Sequence, residues 1–182
     1  MSSQSSQHVC PPWMAYILAS PIRRLMVNPD KLLAPHIAPG DTVLDVGCAM
    51  GFFTLPMAEL VGEGGHVVAV DLQRPMLNGL AKRLRKRGLE GRVTLHQSEA
   101  HTLGLEGEQG RFTFALASAV VHVVPDASAL FRELRGLLAP GGKLLVAEPA
   151  GHVTERAFRE TVQRAEEEGL RTVSFFRSHY FL

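Results

Sequence analysis

The sequence predicts an α/β fold, a doubly wound and mostly parallel sheet with helices on both faces. The apolar run 43–46 leads into a glycine-containing turn at 47–51, and an amphipathic run begins at Phe52. A second apolar run, 67–70, ends at Asp71, so strand-like and helix-like segments alternate as they do in βα units. The 182 residues suffice for one core domain with seven strands between two helical layers.

The first two βα units follow from local signals. Phe53, Met57, Leu60 and Val61 recur on one helical face, which is typical of a helix that packs on a sheet. A proline suits the first turn of the second helix, and Gly88 suits its end. The predicted elements are strand 43–46, helix 52–61, strand 67–71 and a helix that starts at Pro75 and ends at Arg87.

The second half of the chain repeats the pattern. Asp126 is a typical N-cap, and the sequence Pro140-Gly141-Gly142 predicts a sharp stop after the helix that Asp126 begins. Gly169 is expected to end the last helix. The predicted elements are strands 92–97 and 112–117, a helix from Asp126 to Leu138, strand 143–148, a helix at 154–168, and a terminal hairpin from 171–176 and 178–182.

Residues 1–36 precede the first predicted strand and are therefore extra to the sheet domain, residues 37–182. Residues 1–8 have the composition of a disordered tail. Trp13 to Met26 is an apolar helical segment interrupted by Pro21, and a short helix is expected after Asn28-Pro29. Because these apolar side chains must cover something, we expect the stretch from Trp13 to Leu33 to act as a lid.

Composition limits the classes of function. Nineteen basic and eighteen acidic residues leave no overall basic field of the kind that nucleic-acid-binding proteins use. The basic run 82–87 lies at the end of a predicted helix, where cations complement the helix dipole and face water. Two cysteines, a polar start and the lack of a bilayer-length apolar run favour a cytoplasmic protein. We expect no nucleic-acid or membrane partner, and the oligomeric state stays open.

The turn after the first strand indicates which cofactor the chain prefers. Asp71 lies 71 − 51 = 20 positions beyond Gly51, close to the roughly 20-residue offset at which a carboxylate meets ribose hydroxyls. Phe52 occupies the place of the third glycine in a dinucleotide-binding turn, which argues against a pyrophosphate. Asp45, two residues before Gly47, suits a cationic ligand. S-adenosylmethionine carries a sulfonium and an ammonium but no phosphate, so the turn favours it over NAD.

The segment 42–53 resembles motif I of the class I S-adenosylmethionine-dependent methyltransferases, D/E-x-G-x-G-x-G. The resemblance continues through VVAVD at 67–71, Ser98-Glu99-Ala100, SAVVHVVPD at 118–126 and LLAPGGKLLVAEP at 137–149, and it spans about 42–182. The last two segments resemble the small-molecule branch that includes ubiquinone- and menaquinone-biosynthesis methyltransferases. Ala49 replaces the middle glycine, and Thr113 stands where the family usually has Asp. The resemblance implies a Rossmann-like, three-layer α/β/α fold with seven strands, the last one antiparallel.

The same resemblance implies the site residues. Asp45 would organise the methionine end of the cofactor, Asp71 would accept hydrogen bonds from both ribose hydroxyls, and Glu99 would meet the adenine amine. Simpler roles stay open: Asp45 ties down the turn, Asp71 caps the next helix, and Glu99 is solvated. The expected cofactor-binding residues are Asp45, Gly47, Cys48, Ala49, Gly51, Asp71, Leu72, Gln73, Met76, Ser98, Glu99, Ala100 and Ser118. For Cys48 we expect the contribution to be its backbone N–H.

His122 is the candidate catalytic residue, because it follows the fourth strand at the rim where open α/β sheets bind ligands. It is interpreted either as a general base or as a polar wall residue. The Asn/Asp-Pro-Pro-aromatic motif of amino-methylating enzymes is missing at this position, which argues against nucleic-acid bases as acceptors. No metal is expected, because His8 and Cys10 offer only two ligands and a structural zinc needs four.

The sequence therefore predicts a methyltransferase that moves a methyl group from S-adenosylmethionine to a small-molecule acceptor by in-line displacement, leaving S-adenosylhomocysteine. An acceptor of apolar or amphipathic character fits the apolar N-terminal segment. The alternatives are a non-catalytic S-adenosylmethionine-binding protein of the same fold, a nicotinamide oxidoreductase and an RNA methyltransferase. The accepting atom stays open.

Overall fold

The computed structural model describes residues 27–149 and 151–174. Within them, five strands form one sheet in the order β3-β2-β1-β4-β5, and every neighbouring pair is parallel. The strands are β1 (Thr42–Val46), β2 (His66–Asp71), β3 (Val93–Gln97), β4 (Phe112–Ser118) and β5 (Leu138–Ala147). The predicted α/β class and all five core strands are confirmed.

The helices begin and end close to the predicted residues. Asp126 caps its helix by accepting a hydrogen bond from the Ala129 N–H at 3.0 Å, and Gly88 ends the long helix at a φ of 65°. The helices are α1 (Pro29–Leu33), α2 (Thr54–Leu60), α3 (Arg74–Arg87), α4 (Ala127–Leu137) and α5 (Glu155–Glu167), with 3₁₀ turns at Glu90–Arg92 and Val121–Val123.

The sheet separates two apolar cores, because successive strand residues point to opposite faces. Val43, Val67 and Phe114 pack on one face with residues of α1, α2 and α3. Leu44 and Val68 belong to the core on the other face, which includes the buried residues of α4. The described part of the chain therefore has the three α/β/α layers that were predicted.

The prediction of seven strands is corrected for the described residues, which contain five strands and no antiparallel one. Of the proposed terminal hairpin, residues 171–174 are described and carry no strand, while 175–182 lie outside the described residues. The apolar segment Trp13–Met26 also lies outside them. Leu33 of α1 is fully buried in the core, so α1 is an integral part of the domain.

The sharp stop predicted at Pro140 lies inside β5 instead. The register shifts between Phe112, which pairs with Leu138, and Phe114, which pairs with Lys143. The residues between bulge out of the ladder, and a Cβ on Gly142 would lie 2.7 Å from the Phe112 carbonyl oxygen. Among the described strands β5 lies at the edge of the sheet, where a proline and a bulge are tolerated.

The strand order reverses at one position in the sheet. From β1 the chain runs outward to β2 and β3, and it then returns to the other side of β1 through β4 and β5. In open α/β sheets, ligands bind at the carboxyl ends of the strands where the order reverses. Here that position lies between β1 and β4.

Candidate functional site

The turn after β1 requires glycine for two different reasons. Gly47 and Gly51 have φ values of 72° and 83°, in the left-handed region that favours glycine. A Cβ on Gly47 would lie 3.1 Å from the Cβ of Val120, and one on Gly51 would lie 2.3 Å from the Cδ1 of Leu80. Gly47 thus allows the loop after β4 to pack closely on the turn, and Gly51 allows α3 to do so.

Ala49 also has a left-handed backbone, with a φ of 46°. A non-glycine residue pays roughly 1–2 kcal/mol for this conformation. Alanine in place of the middle glycine therefore adds a methyl group and also strains the backbone of the turn.

Asp71, the last residue of β2, holds the turn in this shape. Its Oδ2 accepts a hydrogen bond from the Ala49 N–H at 2.8 Å, and its Oδ1 accepts one from the Gln73 N–H at 2.8 Å. Burial raises the pKa of this carboxyl, against the lowering effect of the two backbone hydrogen bonds. Each oxygen of a carboxylate keeps a further lone pair, so Asp71 can hold the backbone of Ala49 and Gln73 and still accept two ligand hydroxyls.

Asp45 lies on β1, two residues before Gly47, and is only 1% exposed. The Thr54 hydroxyl donates a hydrogen bond to its Oδ2 at 2.6 Å. Burial raises the pKa of Asp45 to about 7, the hydrogen bond from Thr54 opposes that rise, and repulsion from Asp71 adds to it. The two carboxyls are thus electrostatically coupled, and a cation beside them would relieve the cost of ionising both.

Several N–H groups of the turn are already used inside the protein. The N–H groups of Gly47 and Cys48 both donate to the Val70 carbonyl oxygen at 2.9 Å, and the Gly51 N–H donates to the Cys48 carbonyl at 2.8 Å. The sequence suggested that the Cys48 N–H serves the cofactor. In this structure that N–H donates to β2. Burial also raises the pKa of the Cys48 thiol, which leaves it a poor nucleophile.

Arg83 is a site residue that sequence reasoning missed. It belongs to the basic run that was interpreted as a solvated helix end, yet its Nη1 donates to the Met50 carbonyl of the turn at 2.5 Å. Met50 packs against Met76 and Ala49, and both methionines are buried. Spacing within α3 gave no signal for this contact, because it joins residues 33 positions apart.

The predicted adenine-side residues follow β2 and β3, which are neighbours in the sheet. Leu72 is 38% exposed, and Ser98 donates its N–H to the Asp71 carbonyl at 3.2 Å. Glu99 is exposed and donates its N–H to the Thr102 carbonyl, which agrees with the solvated role left open above. Ala100 follows it, half-buried.

On the other side of β1, the ends of β4 and β5 carry Ser118 and a histidine–carboxylate pair. The Ser118 hydroxyl is buried and has no hydrogen-bond partner among the described residues. The His122 Nδ1 lies 2.5 Å from Oε2 of Glu148, whose side chain is 2% exposed. The His122 backbone N–H also donates to Oε1 of Glu148, at 3.2 Å. Nothing in the chain order pairs Glu148 with His122.

These residues meet at one edge of the sheet. Comparison with known proteins shows which family the chain belongs to. A family model described as "Methyltransferase domain" matches residues 37–175, more than half of the chain. The chain belongs to the class I S-adenosylmethionine-dependent methyltransferases. The resemblance stated from the motifs is thereby confirmed, and S-adenosylmethionine is the cofactor that the family implies.

The curated relatives are longer than this chain. Ubiquinone/menaquinone biosynthesis C-methyltransferase UbiE of Vibrio vulnificus is 36% identical over 110 residues, which cover 60% of this chain and 42% of the relative. The enzyme of the same name from Vibrio parahaemolyticus is 34% identical over 117 residues, covering 64% and 44%. The chain thus matches less than half the length of these methyltransferases.

Among solved structures, a S-adenosylmethionine-dependent methyltransferase from Aquifex aeolicus superimposes with a TM-score of 0.79. The two chains are 26% identical, and the match covers 90% of each. The fold described above is therefore that of a methyltransferase of similar size.

The residues at this edge fit the family cofactor. Asp45 offers a buried carboxyl that suits the cationic methionine end, and Asp71 offers a second one that suits the ribose hydroxyls. The Ser118 hydroxyl offers a hydrogen bond that none of the described residues uses. Within residues 27–149 and 151–174, no group of three His, Cys, Asp or Glu side chains could hold a metal ion. His8 and Cys10 lie outside these ranges.

In the same ranges no helix is long and apolar enough to cross a bilayer.

Proposed function

We propose that this chain binds S-adenosylmethionine at the carboxyl edge of β1 and β2 and transfers its methyl group to a small-molecule acceptor. The observation that carries the proposal is the pair of buried carboxyls, Asp45 and Asp71, on adjacent strands against a glycine turn. Asp45 beside the turn disfavours a pyrophosphate there, because like charges would repel.

Asp71 takes the ribose in this proposal. Its two oxygens are fixed by the N–H groups of Ala49 and Gln73, and the remaining lone pairs face the two neighbouring hydroxyls. Asp45 takes the methionine end, either directly or through water. Leu72 packs near the adenine, and Gln73, Ser98, Glu99 and Ala100 surround it from the ends of β2 and β3.

When bound, the cofactor supplies an electrophilic methyl group on a positively charged sulfur, which is an excellent leaving group. The protein therefore needs to bind, to align the acceptor with the methyl group and to exclude water. Ser118 offers its hydroxyl to a polar atom at the β4 side of the site. This division of labour explains why the site holds few acid–base residues.

A small-molecule acceptor is supported by the similarity to methyltransferases named for ubiquinone and menaquinone biosynthesis. The near-neutral charge of the chain supports it as well, because an RNA acceptor needs a basic surface. The apolar segment Trp13–Met26 is proposed as the lid that excludes water and favours an apolar or amphipathic acceptor.

The test measures transfer of tritium from methyl-labelled S-adenosylmethionine to a panel of small hydroxylated aromatic compounds, thiols and amines. The Asp71→Asn variant is expected to lose at least about 100-fold in transfer at low cofactor concentration. The control is Asp41→Asn, which removes another aspartate that accepts a backbone N–H, from Ala38 at 2.7 Å, at the opposite end of β1. Cofactor binding without transfer to any acceptor would contradict the methyltransferase proposal and favour a non-catalytic binding protein.

A further inference from the structure

Asp45 is a buried acid with few groups to stabilise its charge. Its side chain is 1% exposed, and in the sheet it lies between Ala69 of β2 and Leu116 of β4. The Thr54 hydroxyl donates to its Oδ2 at 2.6 Å, and no second hydrogen bond to this carboxyl comes from the residues that the structure describes. A carboxylate in these surroundings has lost most of the hydration that stabilises it in water.

The groups that face Asp45 from the neighbouring elements do not neutralise its charge. Asp71 at the end of β2 repels it, and the Cys48 thiol of the turn stays neutral because burial raises its pKa. Arg83 of α3 donates its Nη1 to the Met50 carbonyl of the turn. Among the described residues, no ion pair to Asp45 or Asp71 is formed.

The remaining elements do not supply a cation either. β4 carries no titratable side chain, and Glu59 of α2 is exposed and paired with Arg87 at 3.0 Å. Beyond β4 and β5, His122 pairs with Glu148. An aspartate that is neither hydrated nor neutralised holds its proton to a higher pH than usual, and burial accordingly raises the pKa of Asp45 to about 7.

We propose that Asp45 of the free protein carries a proton and releases it when the cationic methionine end of S-adenosylmethionine binds, so that one positive charge is exchanged for another. The inference rests on the proposed cofactor site and adds to it the charge balance of binding. The proton leaves the carboxyl oxygen for a buffer base, and the electron pair of the broken O–H bond stays on the carboxylate that then attracts the cation.

The exchange explains how two acids can lie side by side at a site for one cofactor. Before binding, a neutral Asp45 avoids an uncompensated second charge beside Asp71. After binding, the charge of Asp45 is compensated by the ligand. The net charge of the buried turn is thus the same in both states, and the cost of ionising Asp45 is met only when a cation is present.

Proton release gives the affinity a pH dependence of definite sign. At low pH the proton must leave before the cation can be held, so the affinity rises as pH rises and becomes constant above the pKa of Asp45 in the free protein. With that pKa at about 7, the Kd for S-adenosylmethionine should fall at least about tenfold between pH 5.5 and pH 7.0. The cofactor's own ammonium group stays charged over this range, because an α-amino group titrates near pH 8.

The direct experiment is calorimetric titration of S-adenosylmethionine into the full chain at pH 6.5, in phosphate and in imidazole buffer. Because the two buffers take up protons with different heats, the difference between the measured enthalpies gives the number of protons released. About 0.8 proton per bound cofactor is expected. Asp45→Asn should release none, and the control Asp41→Asn should release as many as the parent. Asp41 is another aspartate that accepts a backbone N–H, from Ala38.

A second ligand shows which part of the cofactor displaces the proton. 5′-Methylthioadenosine carries the adenosine half on a neutral thioether and has no ammonium group. It should bind with equal heats in the two buffers, because nothing in it compensates the charge of Asp45.

Thr54→Val provides a variant that keeps the carboxyl. The change removes the hydroxyl that lowers the pKa of Asp45, so the pH above which the affinity is constant should move upward by about half a unit or more. A midpoint that stays in place or moves downward would mean that the titrating group is not Asp45, and would overturn the proposal.

The proposal is also overturned if S-adenosylmethionine binds to the parent with equal heats in the two buffers. Equal proton release by the parent and Asp45→Asn, or by S-adenosylmethionine and 5′-methylthioadenosine, would overturn it as well. Each of these results requires that the cofactor binds. Failure of the proposed function is distinct, because it would appear as no binding of S-adenosylmethionine to the unmodified chain at any pH.

Discussion

The two halves of the carboxyl edge differ in how completely their polar groups are satisfied. At the ends of β1 and β2, Asp45 and Asp71 are buried, and each has protein hydrogen bonds that fix it in place. At the ends of β4 and β5, Ser118 has a buried hydroxyl without a hydrogen-bond partner in the described part of the chain, and Ala119 has a φ of 56°. The first half is organised before any ligand arrives, and the second carries strain and an unused hydrogen bond.

This difference separates the common part of the reaction from the particular one. Every family member binds the same cofactor. The β1–β2 half can therefore be rigid, and its residues can be recognised in the sequence from a motif. The acceptor differs between members, and we propose that it meets the β4–β5 half. The following experiments act on one half and measure whether the other responds.

Removing residues 1–26 should have the largest effect and should divide the two functions. The truncation keeps Leu33, which is fully buried in the core, and so keeps α1 in place. We expect turnover to fall at least about 100-fold because water enters the site, while the Kd for cofactor stays within about threefold. The checks are calorimetry and labelled transfer on the same preparation, and unchanged turnover would refute the lid.

Gly51→Ala should disrupt the β1–β2 half most strongly. The new methyl would lie 2.3 Å from Leu80, which is fully buried, on a backbone with a φ of 83°. Strain and overpacking together should cost about 3 kcal/mol of unfolding free energy. Urea denaturation measures this loss of unfolding free energy. The reverse change, Ala49→Gly, should raise the unfolding free energy by up to about 1 kcal/mol. A neutral Gly51→Ala would mean that α3 does not pack on the turn.

Arg83→Met tests whether α3 positions the turn. The change removes the hydrogen bond to the Met50 carbonyl and should cost about 1–2 kcal/mol, with cofactor affinity falling about tenfold. Arg85→Met on the same helix is the control, because Arg85 is exposed and shares only the charge. Equal losses in the two variants would show that net charge, and not the contact, is responsible.

The raised pKa of Asp45 predicts a pH dependence of the apoprotein. The folded state holds the proton up to about pH 7 and the unfolded state only to about pH 4, so this contribution is full below the unfolded pKa and is lost as pH rises through the folded one. Between pH 6 and pH 8 the loss is about 1 kcal/mol, or roughly 2–4 °C in Tm. Asp45→Asn should flatten this slope, and equal slopes in both proteins would contradict the burial of an ionisable Asp45.

The fold could be predicted from the sequence wherever a local signal was strong. Gly88 and Asp126 marked helix ends that the structure confirms. Pro140 misled because it looks like a stop, whereas β5 accommodates it in a bulge whose position depends on pairing with Phe112. Such pairing is a long-range property that local composition does not carry.

The candidate site shows the same division. Asp45, Gly47 and Asp71 stood out because one motif holds them within a short stretch of chain. Arg83 and Glu148 did not, because each acts on a residue 33 or 26 positions away, and only the strand order brings the partners together. Ser118 was predicted from its place after β4, but its unpartnered state could be seen only once its neighbours were known.

The central claim is that Asp45 and Asp71 together hold the cofactor. Calorimetric titration of S-adenosylmethionine into the full chain and into Asp71→Asn tests it most directly, with Asp41→Asn as the reference. Since each hydrogen bond to a charged group is worth about 1.5–3 kcal/mol, the account predicts affinity at least about 100-fold weaker in Asp71→Asn and unchanged in the reference. Equal affinity in all three proteins would contradict it.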